Sequence, residues 1–221
     1  MQLVKYNINL HKIKAIFVSH LHGDHVYGLP GLLSSLSMLD RSKKLEMFVP
    51  PLLEEWLVSS LKYFMPLGFS LQFHTLTAKK PEIIYDDKRM TVTCFPLKHR
   101  IPTWGFLFKE NPKPTNTRGD KPRSFACCSD TMYMEQLPHI ISDVDLLYHE
   151  ATYSNNEKER AQETFHSTAE DAARIALAAN VGKLVIGHFS SRYKDIEPLL
   201  KQAKNIFPNT EAAEDGSRFE V

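Results

Sequence analysis

The densest group of metal-binding side chains lies in the segment HLHGDH, residues 20–25. Three imidazoles and one carboxylate within six residues are ligand types that suit Zn²⁺, Mn²⁺ or Fe²⁺. The segment begins where an apolar run, 15–20, ends, and such a run is typical of a strand. Side chains two positions apart on a strand point the same way, so His20 and His22 can share one metal. After the turn at Gly23, Asp24 and His25 can face a second metal.

Three further candidate ligands each follow a strand-like apolar run. His99 follows 90–97, Asp130 follows 125–128 and His188 follows 184–187. Without residues 20–25, each would be better explained as a capping aspartate or a structural histidine. Together with residues 20–25 they predict a rigid site built at strand ends. Asp130 is the candidate for a carboxylate that bridges two ions.

Composition excludes several classes of protein. The 221 residues contain 27 Lys and Arg against 26 Asp and Glu, a net charge of +1. This balance excludes a strongly basic nucleic-acid-binding tail, although a local basic patch stays possible. No apolar run reaches the ~18 residues of a membrane span, and residues 1–10 lack the features of a signal peptide. Cys94, Cys127 and Cys128 form no disulfide framework, which predicts reduced thiols in a cytoplasmic protein.

The elements that must position these residues follow from hydrophobic periodicity. Strands are predicted over 15–20, 45–49, 71–76, 82–85, 90–97, 103–108, 124–128, 144–148 and 183–186. Helices are predicted over 26–39, 52–64, 167–179 and 196–206, the third opened by a capping box of Ser167 and Glu170. Residues 110–123 are predicted to be a loop. Alternating strands and helices indicate a layered α/β fold in a single domain, 1–221.

Several segments together resemble one family. SHLHGDHVYGLPGLL is followed in order by HRIP, CSDT, HEAT (149–152), HST (166–168) and HFSSRY (188–193). This series resembles ribonuclease Z, the tRNA 3′-processing endonuclease family of the metallo-β-lactamase superfamily. The HxHxDH pattern marks only the superfamily, whereas the later segments are more specific. The resemblance extends from residue 1 to 208.

The resemblance implies the fold, the metals and the chemistry. The fold would be the αββα four-layer sandwich, with two Zn²⁺ ions per subunit, or Mn²⁺ in their place. One ion would be held by His20, His22, His99 and Asp130, and the other by Asp24, His25, His188 and the shared Asp130. Such a pair assists in-line displacement at phosphorus. Asp24 would accept the proton of the attacking water.

The resemblance also implies the proton donor for the leaving 3′-oxygen. His166 of HST would donate this proton, and Glu150 of HEAT would orient it, because a neighbouring carboxylate raises the pKa of an imidazole. On the residues alone, Glu150 is better interpreted as the end of a strand and His166 as the start of a helix. His149 is expected to be buried or to support the ligands.

Contacts to the substrate are predicted from charge. Ser190, Ser191 and Arg192 follow a metal ligand, and arginine binds phosphate through two parallel hydrogen bonds. A surface turn with an ion pair explains them nearly as well. Basic residues that could follow an RNA backbone, or simply face solvent, are Arg41, Lys43, Lys44, Lys98 and Arg100.

The chain departs from the family pattern at three places. Family members begin with about fifty more residues and carry a tRNA-gripping arm where this chain has only the loop 110–123. We therefore expect the natural chain to be longer, with an intact mass above 25.3 kDa. Ser129 replaces the glycine that usually precedes the aspartate.

The function predicted is metal-dependent removal of the 3′ trailer from precursor tRNA, which leaves a 3′-hydroxyl, by a cytoplasmic homodimer. One alternative is another hydrolase of the superfamily that acts on a small phosphodiester or thioester. A second alternative is a catalytically silent RNA-binding module, which the complete set of candidate ligands disfavours.

Overall fold

The computed structural model describes residues 2–63, 66–112 and 121–221. Contacts divide the chain into two compact units, Met1–Thr77 and Ala78–Val221. Each unit has its own apolar core. The assignment of residues 1–221 to a single domain stays a prediction. Residues 113–120, in the loop predicted at 110–123, and Phe64, at the end of a predicted helix, lie outside the described residues.

The first unit contains a three-stranded sheet of order β1-β2-β3, and both strand pairs are parallel. Its elements are α1 (Gln2–Lys5), β1 (Ala15–Phe17), α2 (Gly23–Val26), α3 (Leu29–Met38), β2 (Leu45–Val49), α4 (Leu53–Leu61) and β3 (Leu71–Thr75). Parallel neighbours need long crossover connections, which the helices between the strands supply. Leucines of α3 and α4 are buried in one cluster with alternate side chains of β2.

The helix predicted over 26–39 is divided in the structure. One turn, α2, ends at Val26, and α3 begins at Leu29 with Pro30 in its first turn. A proline has no N–H to donate and disfavours helical backbone at the preceding residue. The division therefore leaves the HLHGDH segment attached to its own short helix.

The second unit contains a seven-stranded mixed sheet of order β10-β9-β8-β7-β6-β5-β4. Its strands are β4 (Glu82–Asp86), β5 (Met90–Leu97), β6 (Thr103–Glu110), β7 (Ser124–Cys128), β8 (Leu146–Glu150), β9 (Lys183–Gly187) and β10 (Thr210–Ala212). Its helices are α5 (Leu137–Ile140), α6 (Lys158–Thr164), α7 (Ala169–Ala178) and α8 (Glu197–Ile206). Neighbouring strands from β4 to β7 pair antiparallel, and those from β7 to β10 pair parallel.

This topology gathers four strand ends at one edge of the sheet. Strands β5 and β7 both pair antiparallel with β6, so they run in the same direction. Strands β8 and β9 continue that direction because they pair parallel with β7 and with each other. The residues that end or follow β5, β7, β8 and β9 therefore emerge side by side, as the sequence predicted for His99, Asp130 and His188.

The predicted capping box of α7 is wrong by one residue. Thr168 is the N-cap, and its hydroxyl accepts from the backbone N–H of Asp171, whose carboxylate accepts from the N–H of Thr168. The hydroxyl of Ser167 is buried and donates instead to the carbonyl of Thr131 at 2.7 Å. The predicted cap residue, Ser167, thus has a tertiary partner, and the next residue, Thr168, caps the helix.

Several element bounds agree with the sequence. Strands β2, β5 and β7 have the predicted bounds, whereas the strand predicted at 144–148 lies at Leu146–Glu150. That shift makes Glu150 the last residue of β8. No helix in the described residues is long and apolar enough for a membrane span.

Candidate metal centre

In the first unit, the HLHGDH segment connects the end of β1 to the start of α2. Val18 still donates to the carbonyl of Phe48 at 2.9 Å, so the backbone stays beside β2 past the end of the strand. His22 is extended and immediately precedes α2. Nε2 of His20 and Nδ1 of His22 lie 3.0 Å apart. The two imidazoles therefore point to a common place, as their spacing predicted.

The other two candidate ligands of this segment lie on α2. Nε2 of His25 lies 3.5 Å from Oδ2 of Asp24. Two atoms bound to zinc at ~2.1 Å and at the tetrahedral angle are ~3.4 Å apart. The spacings within both pairs, His20 with His22 and Asp24 with His25, are therefore compatible with shared ions.

Glycine at the centre of this segment allows an aromatic ring to approach the backbone closely. A Cβ atom at Gly23 would lie 2.3 Å from the ring of Tyr27. The ring packs across this backbone one turn along, while most of its surface stays exposed. The close approach ties the position of the loop to Tyr27.

In the second unit, one carboxylate stands between two imidazoles. Oδ1 of Asp130 lies 3.4 Å from Nε2 of His188, and Oδ2 lies 3.7 Å from Nε2 of His99. Each oxygen faces a different histidine, as a carboxylate that bridges two ions would. Both separations are near the ~3.4 Å expected for two ligands of one zinc. The donor set within this unit therefore fits divalent metal.

Hydrogen bonds to the other ring nitrogen fix the tautomers of these histidines. Nδ1 of His99 lies 2.8 Å from the carbonyl oxygen of Phe165, which can only accept. Nδ1 of His99 is therefore the donor, and the neutral ring leaves a lone pair at Nε2. Nδ1 of His188 lies 2.9 Å from Oγ1 of Thr152. A metal-binding imidazole usually has such a partner on its second nitrogen.

His188 has an unusual backbone conformation. Its φ is 61°, in the left-handed region, immediately after the last residue of β9. A residue other than glycine takes this conformation at a cost and often at functional sites. Here the conformation turns the chain out of the sheet where Nε2 meets Asp130.

Glu150 and His166 form the expected pair. Oε1 of Glu150 lies 2.7 Å from Nδ1 of His166. The carboxylate is fully buried, and it also accepts from the N–H of Thr131 at 2.9 Å and the N–H of Thr152 at 3.0 Å. Three donors plus the hydroxyl of Thr152 hold it in one orientation. The structure thus brings together two segments 16 residues apart in the chain.

The surroundings of His166 favour its protonated form. Burial lowers the pKa of the imidazole, but the hydrogen bond and charge of Glu150, with a smaller contribution from Asp130, outweigh burial and raise it. Three possible ligand atoms lie within 4.8 Å of one another here, one each from Asp130, His166 and His188. Nδ1 is engaged by Glu150, so Nε2 is the atom available for chemistry.

His149 is buried as expected. Burial lowers the pKa of its imidazole, and Nδ1 donates to the carbonyl of Glu150 at 2.7 Å. A neutral ring thus supports the backbone that carries Glu150.

The predicted substrate residues lie on an exposed turn. Ser191 and Arg192 are exposed, and Nη1 of Arg192 pairs with Oε1 of Glu157 at 3.2 Å. The guanidinium also lies over the ring of Tyr153, 5.6 Å from its centre. The hydroxyl of Tyr193 donates to the carboxylate of Glu157 and accepts from the N–H of Ser154. This network fixes the turn beside the candidate site.

One of the residues predicted to contact an RNA backbone is buried. Arg41 is only 4% exposed, and it donates to the carbonyls of Lys43 and Lys44 and lies over the ring of Phe69. It therefore braces a loop, so the interpretation of Arg41 as an RNA contact is wrong. Arg100 is exposed, although it donates to the carbonyl of Glu163.

The residues that hold the proposed reactive groups were not predicted from the sequence. Thr152 contacts Glu150, His166 and His188, and Thr131 donates its N–H to Glu150. Both lie in segments that resemble the family, HEAT and CSDT, so their place in those motifs is the one signal available. Phe165 has no such signal, because its backbone carbonyl accepts the hydrogen bond from His99 and any residue type could supply that group.

Comparisons with known proteins agree with this arrangement. Residues 3–189 match the family model described as a beta-lactamase superfamily domain. A ribonuclease Z from Bacteroides fragilis strain YCH46 is 41% identical, covering 97% of this chain and 84% of that protein. A ribonuclease Z from Azobacteroides pseudotrichonymphae is 43% identical, covering 95% of this chain and 81% of that protein.

Solved structures show the same fold. The short form of human tRNase Z has a TM-score of 0.79 at 27% identity, covering 97% of this chain and 82% of that one. The metallo-beta-lactamase fold protein YhfI from Bacillus subtilis has a TM-score of 0.76 at 18% identity, covering 99% of this chain and 82% of that one. The predicted fold class, metallo-β-lactamase, is confirmed.

The fold and the matched domain place the chain in the β-lactamase superfamily. Within that superfamily, the chain belongs to the ribonuclease Z family. The alignment with the B. fragilis protein runs over 255 positions, whereas this chain has 221 residues. The relative therefore has internal segments that have no counterpart here.

Proposed function

We propose that this chain is a metal-dependent endoribonuclease that removes the 3′ trailer of precursor tRNA and leaves a 3′-hydroxyl on the tRNA. The observation that carries the proposal is the 2.7 Å contact between Glu150 and His166. Candidate metal ligands are common to hydrolases of the superfamily, whereas this pair joins the HEAT and HST segments. The relatives named ribonuclease Z and tRNase Z support the substrate class.

Two divalent ions, zinc or in its place manganese, are the cofactors of this proposal. The seven proposed ligands are His20, His22, Asp24, His25, His99, Asp130 and His188. Their division between two ions, with Asp130 shared, follows the resemblance. When bound, such a pair lowers the pKa of a water and stabilises charge on attacking and leaving oxygens.

Two residues of the chain move protons in this proposal, and a third positions one of them. Asp24 has an exposed side chain next to His25, and it accepts the proton of the attacking water. His166 donates a proton from Nε2 to the leaving 3′-oxygen. Glu150 keeps His166 oriented and charged before the reaction, because its carboxylate is held by several donors.

Ser191 and Arg192 are the proposed phosphate contacts. The guanidinium of Arg192 is exposed, and its Nη1 pairs with Oε1 of Glu157. A phosphate can compete for it, since arginine binds phosphate strongly through paired N–H groups. A substrate held there would approach the edge of the sheet that carries His188.

The proposal includes a homodimer and a cytoplasmic location. The dimer rests on the resemblance, in which one subunit holds the tRNA that the other cuts. The location rests on the substrate, and the three free cysteines are compatible with a reducing compartment.

The experiment that tests the proposal is cleavage of a 3′-labelled precursor tRNA in the presence of Zn²⁺ or Mn²⁺. We expect one cut after the discriminator base with the wild type, and loss of that cut with Asp24→Ala and with His166→Ala. The matched control is His139→Ala, since His139 is an exposed histidine outside the motifs. It should cut like the wild type.

The alternative, a hydrolase of small phosphodiesters or thioesters, predicts a different pattern. Intact tRNA with continued hydrolysis of bis(p-nitrophenyl) phosphate would refute the tRNA proposal and favour this alternative. Loss of neither activity in Asp24→Ala would refute the assigned role of Asp24.

A further inference from the structure

The hydroxyl of Thr152 lies between a proposed metal ligand and the carboxylate that orients the proposed proton donor. Oγ1 is 2.7 Å from Oε2 of Glu150 and 2.9 Å from Nδ1 of His188. It is also 3.3 Å from Nδ1 of His166. Thr152 is itself buried, which makes each of these contacts consequential.

Hydrogen-bonding capacity decides the direction of each contact. A hydroxyl has one proton and two lone pairs, and an ionised carboxylate only accepts. The hydroxyl proton of Thr152 therefore goes to Oε2 of Glu150, the nearer partner. Oγ1 must then accept from His188, so the proton of the neutral His188 ring is on Nδ1. The lone pair of that ring is at Nε2, the atom that faces Asp130 at 3.4 Å.

We infer that Thr152 is a positioning residue that fixes His188 in its metal-binding tautomer through Glu150. Oε1 of Glu150 holds His166 directly, and Oε2 holds His188 through the Thr152 hydroxyl. One buried carboxylate thereby sets both imidazoles. The inference rests on the proposed function in one respect, namely that His188 binds metal.

The backbone around Thr152 makes this arrangement rigid. Its N–H donates to Oε2 of Glu150 at 3.0 Å, and its carbonyl accepts from the N–H of Ser190 at 3.1 Å. The second contact ties Thr152 to the chain two residues after His188. The hydroxyl is therefore held at a fixed place relative to both partners, as a residue that supports a ligand must be.

Zinc affinity of matched variants tests the inference. Thr152→Val keeps the shape of the side chain and removes the hydroxyl, whereas Thr152→Ser keeps the hydroxyl. Thr210→Val is the control, because Thr210 is also buried, donates to a backbone carbonyl and begins β10 at the opposite edge of the sheet. Zinc dissociation constants are measured by competition with a chromogenic chelator, and folding is checked by thermal melts of the metal-free proteins.

We expect Thr152→Val to weaken zinc binding by ~10–100-fold, the usual effect of losing a partner of a ligand. Thr152→Ser and Thr210→Val should bind like the wild type. Wild-type affinity in folded Thr152→Val would overturn the inference, as would equal losses in the Val and Ser variants. These outcomes are independent of tRNA cleavage, so failure of the proposed substrate leaves the inference standing.

The tautomer of His188 provides a second test that needs no variant. In the zinc-loaded wild type, ¹⁵N NMR of the histidine side chains should place the proton of His188 on Nδ1 and the metal on Nε2. Should Thr152→Val fail to fold, this spectrum still decides the matter. A proton on Nε2 of His188, or a wild type that binds no zinc, would overturn the inference.

Discussion

Glu150 and His166 meet through a 2.7 Å contact between Oε1 and Nδ1, although the carboxylate is fully buried and the imidazole is partly accessible. An isolated buried carboxylate is costly, so this one is stabilised by its donors. Two backbone N–H groups and the hydroxyl of Thr152 also donate to this carboxylate. The pair therefore presents one protonatable nitrogen, Nε2 of His166, in a defined direction.

The first prediction concerns the charge of this pair. Glu150→Gln keeps a side chain of similar shape but removes the charge that raises the pKa of His166. We expect tRNA cleavage under single-turnover conditions to slow by ~10²-fold or more, the lower range for loss of a positioned acid. NMR titration of the metal-free variant should give a lower pKa for His166 than in the wild type. An unchanged pKa and rate would contradict the proposed role of Glu150.

The second prediction concerns the sheet that positions the site. Gly105 of β6 pairs with Phe95 of β5, and a Cβ at Gly105 would lie 2.4 Å from the Phe95 ring. That ring is fully buried and cannot move aside cheaply. Gly105→Ala should therefore lower the free energy of unfolding by about 1–3 kcal/mol, as overpacking in a core does. Chemical denaturation measures the change.

The control for this prediction is Gly31→Ala. Gly31 lies in α3, and a Cβ there would meet nothing within 4 Å. Alanine has the higher helix propensity, so this substitution should stabilise the first unit slightly. A Gly105→Ala protein as stable as the wild type would show that the Phe95 ring has room to shift.

The third prediction concerns stability in acid. Burial raises the pKa of Asp145, but hydrogen bonds from the hydroxyl and the N–H of Ser124, with the charge of Lys121, outweigh it and lower the pKa. A lowered folded pKa contributes stability above the unfolded value of ~3.9, and that stability is lost as pH falls through the folded pKa. Asp145→Asn lacks this contribution at every pH.

The difference in unfolding free energy between wild type and Asp145→Asn should be about 1–2 kcal/mol at pH 7. It should shrink as the pH falls below ~4. Denaturant titrations at several pH values measure it. Glu135→Gln, at an exposed carboxylate, is the matched control and should show little difference at any pH. A difference for Asp145→Asn that does not change with pH would refute the ionic explanation.

Local patterns predict several of the strands well, for identifiable reasons. Leu45–Val49 and Met90–Leu97 are apolar or alternating runs bounded by polar residues or turns, so their ends could be predicted from the sequence. The helix Lys158–Thr164 cannot be predicted from periodicity, because its residues are mostly charged or polar and show no apolar stripe. The HLHGDH motif predicts metal ligands because metal binding requires particular side chains at close spacing.

Partners far apart in the sequence could not be predicted in the same way. The carbonyl that fixes the tautomer of His99 belongs to Phe165, 66 positions away, and any residue type could supply it. The spacing of Ser167 and Glu170 predicts a capping box, yet the hydroxyl of Ser167 donates to the carbonyl of Thr131. The sequence alone predicts a surface charge at Arg41, whereas in the fold its guanidinium donates to the carbonyls of Lys43 and Lys44. These contacts depend on the assembled fold, which local propensity does not encode.

The fourth prediction concerns metal stoichiometry and follows from the placement of Asp130. Its two oxygens face different histidines, His188 at 3.4 Å and His99 at 3.7 Å, so a shared carboxylate would contribute to both ions. His188, by contrast, would contribute to one ion. We therefore expect native mass spectrometry to find two zinc ions in the wild type, about one in His188→Ala, and fewer than one at equal free zinc in Asp130→Asn. His139→Ala, the exposed histidine, should retain both. Equal occupancy in the Asp130 and His188 variants would mean that Asp130 serves a single ion, and the two-ion arrangement would then need a different bridge.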